Sequence, residues 1–361
     1  MDKDLLTELY TLAKAIFTAD LSGLFFEEDL FAVFLENRPT YYVTLGNGVL
    51  LANRGRKGLT NFLEYLEHEE TEDELEFFEY QQAMDSLYSV VPFDEDDDTL
   101  ETDDEWRKES GVLFEGMAAP VFRSKTEYCL PGIIDEEEGK ELVQIFKATL
   151  HLISHLEEIR KEHPKHRAIA TWHDQVSDGS KKEEYIPCLT VGENGILLDK
   201  LPFEPWNYEN TFPIPEFADA EQRRYYKSMK AKSGKIFYMV TGVFPAPVSS
   251  EKLDDPTFPV FYLVYDPQTH KILDVYMIDE YEKNHTVFID RFLAVVDRGV
   301  KPQAIHCYGR RTLPLLTRIG PNMGVMVFEG KRDAELDGVI EDMLHHFLHD
   351  GIEEEDDEDD R

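Results

Sequence analysis

The sequence is short of the features that mark secreted and membrane proteins. It has three cysteines in 361 residues, Cys129, Cys188 and Cys307. Their odd number and scattered positions argue against a disulfide framework and favour reduced thiols in a cytosol. No run of about 18 apolar residues exists to form a membrane-spanning helix, and the first ten residues lack the basic and apolar regions of a signal peptide. We therefore expect a cytoplasmic protein with no membrane association.

Basic residues are also scarce. Lys and Arg number 37 against 74 Asp and Glu, and the formal net charge is −37. Such a chain repels phosphate backbones, whereas tight nucleic-acid binding normally needs a basic surface. The composition therefore predicts a well-solvated surface and no direct nucleic-acid binding. A less common alternative is an acidic mimic of nucleic acid that occupies the basic groove of a partner.

Apolar and aromatic residues are plentiful enough for sizeable cores. The hydrophobic fraction is 42%, with 23 Phe and 17 Tyr, and the length suits two or three domains. We predict an N-terminal α+β module at 1–162, short strands and a proline-rich connector at 163–232, and a second module at 233–350. The remaining stretch, 351–361, contains eight consecutive acids, which predict a disordered tail.

Several local patterns in the first half predict helices and a hairpin. Apolar spacing predicts helices at 5–17 and 58–67, the second with Leu59, Phe62, Leu63 and Leu66 facing inward. The Asn47-Gly48 pair between two β-rich segments predicts a tight hairpin. Asp135, followed by three glutamates and a long apolar stripe, predicts the N-cap of a long helix.

The rest of the first half is less regular. The segment A-I-A-T-W-H at 168–173 and the segment from Tyr185 to Phe203 predict short antiparallel strands. The acidic stretch 94–105 predicts a solvated loop before a short helix at Trp106, because it contains no glycine for the sharp turn of a calcium loop.

From residue 235 onward the predicted order of elements is β-β-β-α-β-α-β-α. This order resembles the ribonuclease H-like fold, so we expect an α+β protein: an N-terminal mixed α+β module followed by a C-terminal ribonuclease H-like β-β-β-α-β-α-β-α module. Fold resemblance of this kind carries no implication about chemistry.

A closer resemblance covers most of the chain. The segments F-E-G-M-A-A-P-V-F-R-S at 114–124, L-P-G at 130–132 and the helix from Asp135 are similar to the core of a bacterial N-terminal module. The segments K-P-Q-A-I-H-C-Y-G-R-R-T-L-P-L-L, V-M-V-F and E-L-D-G-V-I-E-D-M resemble the module that accompanies it. Both are known as domains of unknown function, mostly in Firmicutes. The resemblance implies a cytoplasmic bacterial protein and supplies no activity and no site residues.

Two details bear on the N-terminal module. The family pattern has a tryptophan before the P-V-F-R-S segment and another after the Pro-Gly pair, where this chain has Ala119 and Ile133 or Ile134. We expect Phe114, Pro120 and Phe122 in a core, with Arg123 bridging to a carboxylate or a backbone carbonyl.

The strand at 304–308 decides between a nuclease and an inert module. A ribonuclease H-like nuclease needs carboxylates that hold two metal ions about 4 Å apart, and the superfamily places one on the first strand and one at the end of the fourth. The first strand here offers 239–242, Met-Val-Thr-Gly, and the fourth offers 306–308, His-Cys-Tyr. Neither contains an acid. We therefore predict a catalytically inert module, with Cys307 or Tyr308 where the acid would be, and no cofactor.

Two alternatives concern single residues. If a metal site had moved, its ligands would be Asp333, Asp337 and Asp279, with Glu335 nearby, although capping of the last helix explains three of these acids adequately. Arg310 and Arg311 follow the fourth strand, where they would meet an anion or pair with nearby carboxylates; the second is favoured.

Other reactive residues carry weaker signals. Cys307 could be a nucleophile or binding residue, but a small buried thiol is the usual case. The i,i+4 pairs His151–His155 and His345–His349 have zinc-compatible spacing without a third ligand. These observations together predict a non-catalytic binding protein with a macromolecular partner. The alternatives are a metal-dependent nuclease or phosphotransferase with a rearranged acid site, and the acidic mimic.

Overall fold

The computed structural model describes most of the chain: residues 1–26, 29–46, 48–69, 71, 73–92, 99–177, 184–203, 212–248, 256–332 and 334–353, with 349–353 as backbone alone. Several sequence predictions fall outside these ranges: Asn47 of the hairpin turn, the start of the acidic stretch, part of the proline-rich connector, Asp333, and the tail beyond Glu353.

The chain forms two compact units that do not follow chain order. Unit 1 comprises Met1–Glu69, Ala83–Glu127 and Pro131–Asn210, and unit 2 comprises Glu70–Gln82, Tyr128–Leu130 and Thr211–Arg361. The division differs from the predicted boundaries at 162/163 and 232/233. The strands after 163 join the first sheet, and a helix from the first half packs in unit 2. Both are long-range pairings that local composition does not encode.

Unit 1 is built on one eight-stranded sheet. Its strands are β1 Leu30–Leu35, β2 Tyr41–Gly46, β3 Val49–Arg54, β4 Ser86–Val90, β5 Val121–Lys125, β6 Gly132–Ile133, β7 Glu184–Gly192 and β8 Gly195–Phe203. Their order is β6-β5-β4-β3-β2-β1-β7-β8. All neighbours are antiparallel except β1 and β7, which run parallel. The predicted β2–β3 hairpin is confirmed, and the antiparallel strands predicted from Tyr185 to Phe203 are confirmed as β7 and β8.

The helices of the first half are α1 Lys3–Phe17, α2 Gly55–Glu67, α3 Glu74–Gln82, α4 Glu101–Ser110, α5 Glu136–Glu162 and α6 Ala168–Val176. All except α3 belong to unit 1. The predicted cap of α5 is confirmed: the Asp135 carboxylate accepts from the Glu138 amide at 2.8 Å, and Glu138 accepts from the Asp135 amide at 3.0 Å. Two orphan amides of the first turn are thereby satisfied.

Two predictions for unit 1 helices were wrong. The segment A-I-A-T-W-H lies in α6, whose buried residues Ala168, Ile169 and Trp172 share one helical face. Its apolar residues suit a strand or a helix equally over so short a window. Leu66, predicted to face inward on α2, is 45% exposed because it lies in the last turn of the helix.

The core of unit 1 contains the P-V-F-R-S segment as expected. Pro120 is buried and Phe122 is fully buried, while Phe114 is partly buried against the same cluster. The Arg123 guanidinium donates to both carboxylate oxygens of Asp103, at 2.8 and 2.5 Å. Asp103 belongs to the acidic stretch predicted as solvated, and this residue is instead buried, because it neutralises a buried arginine.

Unit 2 is built on a five-stranded mixed sheet. Its strands are β9 Ile236–Val243, β10 Val260–Asp266, β11 Lys271–Ile278, β12 Ala304–Tyr308 and β13 Met326–Glu329, in the order β11-β10-β9-β12-β13. The first three are antiparallel neighbours, whereas β12 runs parallel to both β9 and β13. The predicted α+β class and the predicted sequence of strands are confirmed.

The helices of the second half are α7 Ala220–Ser228, α8 Tyr281–Asn284, α9 Thr286–Arg298, α10 Thr312–Leu316, α11 Ile319–Met323 and α12 Ala334–Glu353. One sheet face packs against a cluster that contains residues of α9, α10 and α11, and the other packs against α12. The helix predicted after β12 is divided into α10 and α11. Across the described residues, no helix is both long and apolar enough to cross a membrane.

Candidate functional site

The end of β12 lies beside the middle of β9, as the parallel pairing requires. Cys307 pairs with Met239 and Tyr308 with Val240. In a ribonuclease H-like sheet this is the place of the two catalytic carboxylates, and here apolar and thiol side chains occupy it. Cys307 packs in the core shared with α9, and Tyr308 packs in the core under α12.

Two threonines complete this position. The hydroxyl of Thr241 lies 2.8 Å from that of Thr312, and Thr312 donates to the Tyr308 carbonyl at 2.5 Å. Both threonines are buried. Each buried hydroxyl thus has a partner inside the sheet-to-helix junction, as buried polar groups require. No carboxylate is among their hydrogen-bond partners in the described part of the chain.

Gly309 sets the turn out of β12. Its φ is +84°, and a β-carbon added there would lie 1.9 Å from the Thr241 carbonyl oxygen. Only glycine tolerates both the left-handed backbone and this close approach. The turn directs the next two residues, Arg310 and Arg311, toward a cluster of aromatic side chains.

Arg311 is the largest fully buried side chain among the described residues, at 1% exposure. Its guanidinium forms an ion pair with Glu79 of α3, itself 3% exposed, and donates to the hydroxyl of Tyr128. Burial disfavours the charged form, but Glu79 and the neighbouring phenol oxygens outweigh it and hold the pKa of Arg311 above its usual value. The guanidinium therefore stays cationic inside the protein, where the Glu79 carboxylate neutralises its charge.

Aromatic rings enclose both arginines. The Arg311 guanidinium lies 5.1 Å from the ring centroids of Tyr128, Phe212 and Tyr281. Arg310 lies 4.2 Å over the ring of Tyr80 and 5.4 Å from that of Phe212. Such cation–π contacts are strongest where water is excluded. Of the two roles considered for Arg311, the structure shows the ion pair with a nearby carboxylate.

Cys307 is poorly suited to act as a nucleophile. Its side chain is 2% exposed, and burial, with a contribution from Glu329, raises the pKa of its thiol to about 12. The thiolate is the reactive form of cysteine. At neutral pH this residue therefore behaves as a small apolar core residue.

The described acids among those considered for a displaced metal site do not come together. Asp279 is exposed after β11, at the opposite edge of the sheet from β13. Asp337 accepts from Arg332 at 2.7 Å, and Glu335 accepts from Tyr265 at 2.6 Å. Asp333 lies outside the described residues. Among the residues that the structure describes, no three His, Cys, Asp or Glu side chains are grouped to hold a metal ion.

The structure describes one of the two histidine pairs in full. His151 and His155 line a cavity of about 330 Å³ in unit 1, together with Trp172 and Asp199, without forming a metal-binding group in the described residues. His345 is exposed on α12. His349 is among the residues of α12 that the structure describes as backbone alone.

Sequence reasoning did not find Glu79. It lies 232 residues before Arg311 in a helix with weak amphipathic character, and one glutamate among 74 acids gives no signal of its own. The place of Glu79 between Phe78 and Tyr80 was the available hint, since an acid buried among aromatic residues needs a partner.

Two family models match the chain. Residues 7–172 match a domain of unknown function, DUF7309, and residues 222–344 match another domain of unknown function, DUF6930. The predicted resemblance to two modules of unknown function is thereby confirmed. No curated protein and no solved structure matches the chain.

Proposed function

We propose that this chain is a non-catalytic binding protein whose second unit is a ribonuclease H-like module without catalytic acids. The strand order of unit 2, with three antiparallel strands followed by two parallel ones, supports the fold assignment. The observation that carries the functional proposal is the composition of the β9–β12 junction, where Cys307 and the Thr241–Thr312 pair fill the place of the carboxylates.

The state of Arg311 supports the same proposal. A guanidinium poised for a phosphoryl group or another anion needs an open face, whereas this one is enclosed and paired with Glu79. Its position after β12 would suit catalysis, but its contacts hold α3 against the unit. The small number and scattered positions of the three cysteines, together with the resemblance to bacterial modules, support a cytoplasmic bacterial location.

The test is a metal titration joined to a cleavage assay. Isothermal calorimetry with Mg²⁺ and Mn²⁺ should give weak, non-stoichiometric heats, because a strongly acidic surface attracts cations diffusely. The same protein should cleave neither RNA–DNA hybrids nor single strands. A stoichiometric two-metal isotherm, or cleavage lost in the Asp333→Ala, Glu335→Ala, Asp337→Ala triple variant, would make the rearranged-site enzyme the better account.

A further inference from the structure

A groove of about 790 Å³ runs along the side of unit 2 between α3 and α12. Its floor is apolar: Leu75 and Phe78 come from α3, and Ile340 and Leu344 come from α12. Ile340 is buried, while the other three are only partly buried. Two helices therefore leave a strip of apolar surface between them.

The strip has the spacing of a helix-binding surface. Residues 337, 340, 341 and 344 follow one another at i, i+3, i+4 and i+7, so they form a single stripe over about two turns, roughly 10 Å of α12. Leu75 and Phe78 are three residues apart and share a face of α3. A groove of this kind receives the apolar face of an amphipathic helix.

The rim of the groove carries excess negative charge. Among the described lining residues, four are carboxylates, Asp73, Glu74, Asp337 and Glu341, and one is a cation, Arg332. Arg332 pairs with Asp73 at 2.6 Å and with Asp337 at 2.7 Å.

The other two rim carboxylates remain available. Glu74 and Glu341 are exposed and form no ion pair with any described residue. Charged rims that surround an apolar centre select partners of opposite charge.

We propose that this groove binds a basic amphipathic helix of a partner protein, with apolar side chains on the floor and Lys or Arg against Glu74 and Glu341. The proposal rests on the proposed binding function and names its partner class. A second copy of this chain is the poorer occupant, because its formal charge of −37 adds repulsion at the same rim.

The experiment measures fluorescence anisotropy with the full chain at 0.15 M salt, where exposed charges act only over about 8 Å. The probe is a fluorescein-labelled helical peptide of about 14 residues, with leucines at i, i+3, i+4 and i+7 and lysines on the opposite face. A matched peptide replaces every lysine with glutamate. We expect saturable binding of the lysine peptide and none of the glutamate peptide.

Two charge variants on adjacent positions of α12 locate the site. Glu341→Lys changes a groove carboxylate and should raise the Kd about tenfold. Asp342→Lys changes the net charge equally, but Asp342 is an exposed residue outside the groove, so its effect should stay below about twofold. Leu344→Ala should also weaken binding about tenfold if the floor carries contact energy. Far-UV circular dichroism and melting curves verify that each variant is folded.

The possible outcomes distinguish failure of the groove proposal from failure of the proposed non-catalytic function. Equal weakening by the two charge variants would assign binding to the general negative field and overturn the groove. Equal binding of the glutamate peptide, or no binding of the lysine peptide, would also overturn it. Metal-dependent cleavage of nucleic acid by the same preparation would instead overturn the non-catalytic function, whatever the peptide does.

Discussion

Removing the carboxylate partner of Arg311 should destabilise unit 2 severely. Glu79 and Arg311 are 3% and 1% exposed, so water cannot replace the lost counter-charge. Glu79→Gln leaves the Arg311 guanidinium buried beside a neutral amide. Breaking a buried ion pair by removing one partner costs about 3–5 kcal/mol of folding free energy. The hydroxyl of Tyr128 and the surrounding rings offset only part of this cost, since none carries a full negative charge.

The measurement is the melting transition followed by far-UV circular dichroism. For a unit of 150–250 residues each kcal/mol lowers Tm by about 2–4 °C, so Glu79→Gln should lower it by roughly 6–20 °C. Arg318→Met is the matched control, because Arg318 forms an exposed pair with Glu216. Exposed pairs contribute at most about 1 kcal/mol, so this variant should melt within a few degrees of the parent protein.

A double variant separates the charge effect from lost packing. Glu79→Met combined with Arg311→Met removes both charges and restores apolar volume, so it should be more stable than either single variant. An unchanged Tm in Glu79→Gln would refute the reasoning. It would mean that Arg311 is balanced by something other than Glu79, and the anion-site hypothesis for Arg311 would become the better one.

Three further predictions concern other parts of the chain. Phe122→Ala should cost about 3–5 kcal/mol in a urea titration, because the ring is fully buried; a neutral effect would contradict its place in the core. Gly309→Ala should cost at least about 2 kcal/mol, owing to its positive φ and the close Thr241 carbonyl; wild-type stability would show that the turn can relax. In the folded protein at pH 8, iodoacetamide should modify Cys129 before Cys188 and Cys307, whose thiol pKa values burial raises to about 11 and about 12. Mass spectrometry of samples taken over time gives the order in which the cysteines are alkylated, and early alkylation of Cys307 would contradict its burial.

Elements with strong local signals were predictable from the sequence. The helix α5 has its cap residue, its acidic first turn and its apolar stripe within one continuous segment, so nothing distant was needed to find it. The β2–β3 hairpin carries its turn between its strands. The prediction of a strand at 168–173 was wrong because six residues fit the helical and the strand periodicity equally well. Only the tertiary packing of Trp172 made the segment a helix.

The environment of the candidate site was not predictable in the same way. That strands β9 and β12 lack acids could be read directly, since the order of strands was clear. The acids that pair with the buried arginines could not be predicted from the sequence, because 74 carboxylates offer too many choices. Asp103 illustrates the difficulty: it belongs to a run of acids that looks solvated, yet it is the one that neutralises the buried Arg123.

The pairing of Arg311 with Glu79 also explains why the two family matches do not divide the chain at a structural boundary. The first match, 7–172, contains α3 and Tyr128, which belong to unit 2. The second, 222–344, contains Arg311 but neither of its hydrogen-bonding partners. A fragment limited to the second match would lack the counter-charge of Arg311. If the guanidinium stayed buried, the cost would be about 3–5 kcal/mol, which approaches the lower end of the roughly 5–15 kcal/mol stability of natural domains. Because α3 also supplies one wall of the acidic groove, the same segment that neutralises Arg311 is needed to build the proposed binding surface. The two modules therefore have a physical reason to occur in one chain.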